Sequence, residues 1–229
     1  MRQVINVGRM QMINRWVFIG IPLLIMGSAL AFVIAIGAVL VPGSSPFYTG
    51  AGQAPLWSFI FGGVQALTLT FPFSQAVSIT RRAYFVGTTG AFAMLTLGLS
   101  ILFYLLGLVE KVTGGWFVHG YVFALPWLVG QSWYATILLV WSVAFLLFMI
   151  GLFVATIYKR WGITGTVITS FAAGLLLLII AGAITLGHNW LAFGRWAAAL
   201  TPLGVSGGVL IVIAALLAAS FLILRRAIP

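Results

Sequence analysis

The chain has 229 residues, of which 63% are hydrophobic and only 5% are charged. A soluble domain of this length cannot bury so much apolar surface, so lipid is the solvent for most of the chain. Cysteine is absent, which excludes disulfides and thiolate metal sites. The net charge of +10 comes from basic residues beside apolar runs, and membrane topology and anionic lipid explain it. We therefore expect a lipid membrane, and no nucleic acid, as a partner.

A basic amphipathic stretch opens the chain. Residues 1–15 carry Arg2, Arg9 and Arg15 among apolar residues at helical spacing. This pattern predicts a helix lying in the membrane interface, and a frayed tail is the alternative. Residues 16–229 then form the membrane domain, an all-α fold with six transmembrane helices. The six spans are predicted at about 16–41, 56–76, 85–109, 133–158, 163–186 and 203–224.

The basic residues lie unevenly at the ends of these spans. With both termini in the cytoplasm, the outer side holds only Lys111 and Arg195. The other nine Lys and Arg residues then lie on the inner side: Arg2, Arg9, Arg15, Arg81, Arg82, Lys159, Arg160, Arg225 and Arg226. Positive residues favour the cytoplasmic side, so the sequence predicts cytoplasmic termini.

Residues that could carry chemistry are scarce. Glu110 is the only acid and lies at the end of a span, so we expect no ion-coupled transport by this chain alone. No phosphate-binding loop is present, and His119 and His188 have no metal-ligand partner at helical spacing. No nucleophile has a base nearby in the sequence. The chain is predicted to be non-catalytic, without a cofactor or metal of its own.

Two stretches between spans predict irregular or surface structure. Residues 112–131 are rich in glycine and aromatic residues and predict a surface or partly re-entrant segment. Residues 190–199 predict a short surface helix. The first and fifth spans are rich in small residues, which let membrane helices approach closely and predict a dimer face. Its candidate residues are Gly27, Ala31, Gly165, Ala173 and Gly174.

A short polar segment, residues 78–84, separates the second span from the third. Its two arginines would cost about 5–7 kcal/mol in hydrocarbon, so the segment must lie at a membrane surface. It is a candidate contact for a cytoplasmic partner. A loop that only satisfies the topology rule is the alternative.

The combination of these features resembles a known family. An amphipathic N-terminal helix, six spans and the segment from Phe71 to Thr88 resemble the permease subunits of type-2 ATP-binding-cassette (ABC) exporters. The resemblance implies a coupling helix that docks on a separate ATPase subunit, which holds ATP and Mg. It also implies that the residues in contact with the ATPase, the coupling residues, are Thr80, Arg81, Arg82, Ala83 and Tyr84.

The same resemblance implies the assembly and its location. The N-terminal helix would pack against the ATPase, and a second permease copy, in a homodimer or a heterodimer, would complete the pathway. The expected location is the bacterial cytoplasmic membrane. Two other functions stay open at this point: the substrate-binding membrane component of a vitamin importer, and a non-transport assembly protein. The transported substrate cannot be predicted from the sequence.

Overall fold

The computed structural model describes residues 2–40, 46–76, 78–128 and 130–226, with the backbone alone for Arg2, Leu40, Ala76 and Arg226. The described part is predominantly helical, which confirms the all-α prediction. Its helices are α1 (Arg2–Gln11), α2 (Ile21–Leu40), α3 (Ala54–Gln65), α4 (Phe71–Ala76), α5 (Arg81–Val112), α6 (Trp133–Leu186), α7 (Trp190–Ala199) and α8 (Pro202–Arg226). Wider π-helical turns lead into α2 at Trp16–Gly20 and join α3 to α4 at Ala66–Thr70.

Five helical stretches in the described ranges are long and apolar enough to cross a membrane. They are Trp16–Val39, Gly50–Gln75, Arg81–Val112, Trp133–Leu186 and Pro202–Arg225. A soluble fold has no use for five such helices, so the chain is a multi-pass membrane protein. The predicted first, second, third and sixth spans each correspond to one of these stretches.

The predicted fourth and fifth spans both fall within α6. This helix has 54 residues, and at the usual rise it would be about 81 Å long, whereas the hydrocarbon core is about 30 Å thick. Gly162 interrupts it with φ 66° and ψ −160°, a conformation that glycine alone adopts readily. The interruption lies between the two predicted spans, while the number of crossings stays a prediction.

Helix α5 begins four residues before the predicted third span. Thr80 caps its N-terminus, because the Thr80 side-chain oxygen accepts a hydrogen bond from the Ala83 backbone N–H at 3.3 Å. Arg81, Arg82 and Ala83 are good helix formers and continue directly from this cap. The polar segment 78–84 is therefore not a separate short helix: its second half is the first turn of α5.

Aromatic rings join the helices at the centre of the core. The Phe92 ring of α5 stacks on the Phe148 ring of α6, with centroids 4.1 Å apart, and meets the Phe18 ring edge-on at 5.1 Å. Phe145 extends the stack, its centroid 5.9 Å from that of Phe148. All four side chains are buried. This cluster fixes the positions of α5, α6 and the start of α2 relative to one another.

Glycines bring α3 and α6 into backbone contact. A Cβ atom at Gly63 would clash with the Phe148 carbonyl, and a Cβ atom at Gly151 would clash with the Ile60 carbonyl. Such close approach needs glycine on both helices. The small residues that the sequence analysis selected lie on other spans. Gly63 and Gly151 were not among them, because nothing in the sequence shows which glycines face another helix.

The close contact between α3 and α6 gives a first prediction. Gly151→Ala should lower the free energy of unfolding by about 1–3 kcal/mol, because the added methyl group must push two backbones apart. Gly208→Ala, on α8 with open space around it, is the matched control and should be neutral or slightly stabilising. Thermal unfolding in detergent compares the two variants; equal melting temperatures would contradict the contact.

Candidate functional site

Helices α5 and α8 bring three arginines together at one end of the molecule. A groove of about 480 Å³ is lined by Arg81, Arg82, Phe221, Leu224 and Arg225. Arg81 is half-buried and donates a hydrogen bond from Nη1 to the Leu224 carbonyl oxygen at 3.3 Å, while Arg82 and Arg225 are exposed. We call Arg81, Arg82 and Arg225 the basic surface. Its α8 part could not be predicted, since Leu224 is 143 residues away from Arg81.

The basic surface lies far from the one acidic side chain of the sequence. The only acid, Glu110, lies near the C-terminal end of α5, whereas the arginines lie at the N-terminal end. Clustered guanidinium groups create a positive potential that attracts anionic groups on a partner or a lipid. The surface can therefore bind and orient an anionic partner, and it has no group that would act as a nucleophile or base.

Two of the predicted coupling residues are not at the surface. The Ala83 side chain is 8% exposed and the Tyr84 side chain 1% exposed, because both turn from the first turn of α5 into the core. Thr80 and Arg82 are exposed, and Arg81 is partly exposed. The coupling role of the five residues stays a prediction, and Thr80, Arg81 and Arg82 are those of the five whose side chains are accessible to a partner.

Tyr84 instead belongs to a buried polar cluster. Its hydroxyl lies 2.7 Å from the Thr70 hydroxyl and donates to the Ala66 carbonyl oxygen. The Gln11 side-chain amide donates to Thr70 at 2.9 Å and to Thr88 at 3.0 Å. The cluster joins α1, the turn between α3 and α4, and α5. Since buried polar groups need such partners, it fixes the register among these three elements.

Gln11 of α1 is polar but does not lie on the exposed face of this helix. It is fully buried, because Gly87 lets α1 lie directly against α5: a Cβ atom at Gly87 would come within 2.7 Å of Val7 Cβ. Helix α1 therefore packs along the first turns of α5. Of the three predicted interfacial arginines, Arg9 and Arg15 are exposed, and the Arg2 side chain is outside the described residues.

At the far end of α5, the Glu110 carboxylate is completely buried. It accepts hydrogen bonds from the backbone N–H groups of Val122 and Phe123 at 2.8 Å and of Ala124 at 2.6 Å. The Trp116 indole N–H donates a fourth hydrogen bond at 2.6 Å. Successive backbone N–H groups form a concave site for an anion, and here the anion is the side chain of Glu110. Its role is structural.

These hydrogen bonds hold a folded-back loop, residues 113–124, which we call the carboxylate loop. Trp116, Phe117 and His119 have positive φ angles, so their backbone is strained and must be held by its surroundings. The loop pairs with the segment before α3 through two short parallel strands, β1 (Phe47–Tyr48) and β2 (Gly120–Tyr121). The expected surface or re-entrant segment is thus a packed loop against α5.

The predicted dimer-face residues are not packed inside the chain. Gly27, Ala31, Ala173 and Gly174 are exposed, and Gly165 is half-buried beneath its own neighbour Trp161. The described core cluster includes no residue between Tyr158 and Thr201. In the part of the chain that the structure describes, the side chains of residues 163–186 and of α7 are therefore mostly exposed, and these segments extend from the core.

A separate apolar cavity of about 400 Å³ opens between α2 and α3. Its walls include Phe18, Trp57 and Phe59, with Ser58 and Gln65 as the polar residues.

Within the described ranges, no group of three or more His, Cys, Asp or Glu residues could hold a metal ion. Comparison with models of protein families, with curated proteins and with solved structures finds no match to this chain.

Proposed function

We propose that the chain is the membrane-spanning permease subunit of an ATP-driven exporter, moved by a separate ABC-type ATPase that contacts Thr80, Arg81 and Arg82. The supporting observation is the continuity of α5, which runs without a break from the basic surface to the Glu110 carboxylate. In this function the chain itself is non-catalytic, and ATP and Mg belong to the partner.

Helix α5 is suited to carry movement across the membrane. Its 32 residues correspond to about 48 Å, which exceeds the hydrocarbon thickness of about 30 Å. Its first turns are tied to α1 through Gln11 and to α8 through Arg81. Its last turn is tied to the carboxylate loop. A displacement of Arg82 by a partner would therefore move both the loop and the helices packed on it.

The topology in this proposal has six crossings and cytoplasmic termini. In this topology α6 forms two crossings that are separated at Gly162, where the helix is interrupted. Next to Gly162, the Arg160 guanidinium lies 4.5 Å from the centroid of the Trp161 ring. Arginine and tryptophan are typical of membrane–water interfaces. Their position supports a turn of the chain at the cytoplasmic surface between the fourth and fifth crossings, where the basic surface also lies.

A second permease copy would cover the extended part of α6. Residues 163–186 have exposed side chains around nearly the whole helix, including Phe171 and Leu178 at 75% and 70% exposure. A lipid-facing helix normally has at least one protein neighbour, and small residues permit a close one. Gly165, Ala173 and Gly174 are the residues in this part through which a second copy would approach.

The cavity between α2 and α3 supports an apolar or amphiphilic cargo. Its aromatic walls favour hydrocarbon surface, and Gln65 and Ser58 provide hydrogen-bonding groups without charge. None of the described residues that line it is an arginine, a lysine or an acid. A strongly ionic cargo would find no compensating charge at this position, so an uncharged or amphiphilic molecule fits its chemistry better.

The test is affinity purification of the tagged, full-length chain from its native membranes, followed by mass spectrometry. We expect a protein with a phosphate-binding loop and ATPase activity in near-stoichiometric amount. Tight co-purification of a small vitamin would favour the importer component, and recovery of the chain without any ATP-binding protein would contradict the proposal.

A further inference from the structure

Two neighbouring cavities form a groove along one face of α5, between that helix and the α1–α2 segment. One part of it lies between α1 and α5 and has Arg9 and Met12 on its walls. The other lies between α2 and α5, has a volume of about 260 Å³ and includes Leu99 and Leu102. Met94 and Leu95 line both parts, so the two cavities are neighbours along α5, and we treat them together as one groove.

The floor of the groove is one stripe of α5. Ala91, Met94, Leu95, Gly98 and Leu102 are spaced three, four, seven and eleven residues from the first, which places them on one face of a helix. From Ala91 to Leu102 the stripe is about 16 Å long, close to half of the roughly 30 Å hydrocarbon thickness. Its length is therefore close to the depth of a single lipid leaflet.

Open space above the floor makes room for a chain-like ligand. A Cβ atom at Gly98 would have no neighbour within 4 Å. Met94 is 74% exposed, so the groove is open on its outer side. Every residue on its walls except Arg9 is uncharged, and most are aliphatic or aromatic. An extended hydrocarbon chain fits this shape and chemistry.

The charge at one end determines the head group. Arg9 is exposed and is the one cation among the described residues that line the groove. The only acid, Glu110, lies eight residues beyond Leu102 on α5 and is buried by its four hydrogen bonds, so it does not compete for Arg9. Guanidinium binds phosphate through paired N–H donors. The charge of Arg9 matches the phosphate of an anionic phospholipid, and the length of the apolar groove matches one of its acyl chains.

We propose that this groove is a binding site for one anionic phospholipid, with its phosphate on Arg9 and one acyl chain along α5 over Gly98. The lipid would fill the gap between α2 and α5 and so support the packing of α2 on the core. This site is independent of any ATPase partner, and its test does not depend on transport activity.

The test uses the full-length chain, purified in detergent and delipidated, and native mass spectrometry. Phosphatidylglycerol and phosphatidylcholine with the same acyl chains are the probes. We expect one tightly held phosphatidylglycerol per chain and weaker binding of phosphatidylcholine. Arg9→Gln should weaken phosphatidylglycerol about fivefold, the usual effect of one basic residue on an anionic lipid. Gly98→Phe should weaken both lipids at least tenfold by filling the groove.

Gly90→Phe is the matched control, since Gly90 lies on α5 outside the groove and also has open space around it. It should bind lipid as the unmodified chain does, and equal melting temperatures for both Phe variants would show intact folding. Inorganic phosphate should not displace the lipid. Displacement by phosphate alone, equal binding of the two lipids, or unchanged binding by Gly98→Phe would each overturn the proposal.

Discussion

Replacing both Arg81 and Arg82 with glutamate should release the ATPase subunit from a chain that is still folded and inserted. The change reverses the charge at the exposed start of α5, so an acidic partner surface would be repelled instead of attracted. We expect at least a tenfold loss of co-purified ATPase. The helix itself should persist, because glutamate in the first turn interacts favourably with the helix dipole.

Two controls separate contact from folding. Arg195→Glu makes the same chemical change on exposed α7 and should leave ATPase recovery unchanged. The single variant Arg82→Glu keeps the Arg81 hydrogen bond to the Leu224 carbonyl and should still lose most of the partner. If the double variant recovered the ATPase in normal amount, the start of α5 would not be the surface on which the ATPase docks.

The second large effect is expected at Glu110. Glu110→Ala should lower the free energy of unfolding by about 3 kcal/mol or more, because four buried N–H donors lose their acceptor. Glu110→Gln should also destabilise, since its amide group would turn N–H donors toward the backbone N–H groups of Phe123 and Ala124. Thermal unfolding and limited proteolysis of the carboxylate loop measure both effects.

Lys111→Gln is the control for this prediction. Lys111 is the exposed neighbour of Glu110 and has no part in the hydrogen bonds of the carboxylate loop. The Lys111 variant should melt as the unmodified chain does and should resist proteolysis equally well. If Glu110→Ala behaves like Lys111→Gln, the buried carboxylate does not hold the loop.

Patterns within a single helix were readable from the sequence. Long apolar runs gave the membrane helices, and the stretch 190–199 was predicted as the short helix that the structure shows at Trp190–Ala199. Hydropathy defines the predicted third span, which begins at residue 85, and does not mark the start of helix α5. The Thr80 cap and the helix-forming Arg-Arg-Ala sequence would have placed it at Arg81.

Contacts between distant segments were not readable. The role of Glu110 depends on backbone N–H groups at 122–124, which carry no sequence signal of their own. The burial of Gln11 depends on the glycine at position 87, 76 residues later. In both cases a polar residue that resembles a surface residue is buried because a distant backbone approaches it. A lone acid followed by a glycine- and aromatic-rich loop is the signal that could have drawn attention to Glu110.

The most direct test of the central claim uses a single thiol in this cysteine-free chain. Arg82→Cys should react with a membrane-impermeant maleimide only after cells are opened, whereas Arg195→Cys should react in intact cells. A thiol-directed cross-linker at position 82 should capture an ATP-binding protein, and one at position 195 should not. Labelling of position 82 from outside, or cross-linking there that captures no ATP-binding protein, would contradict the account.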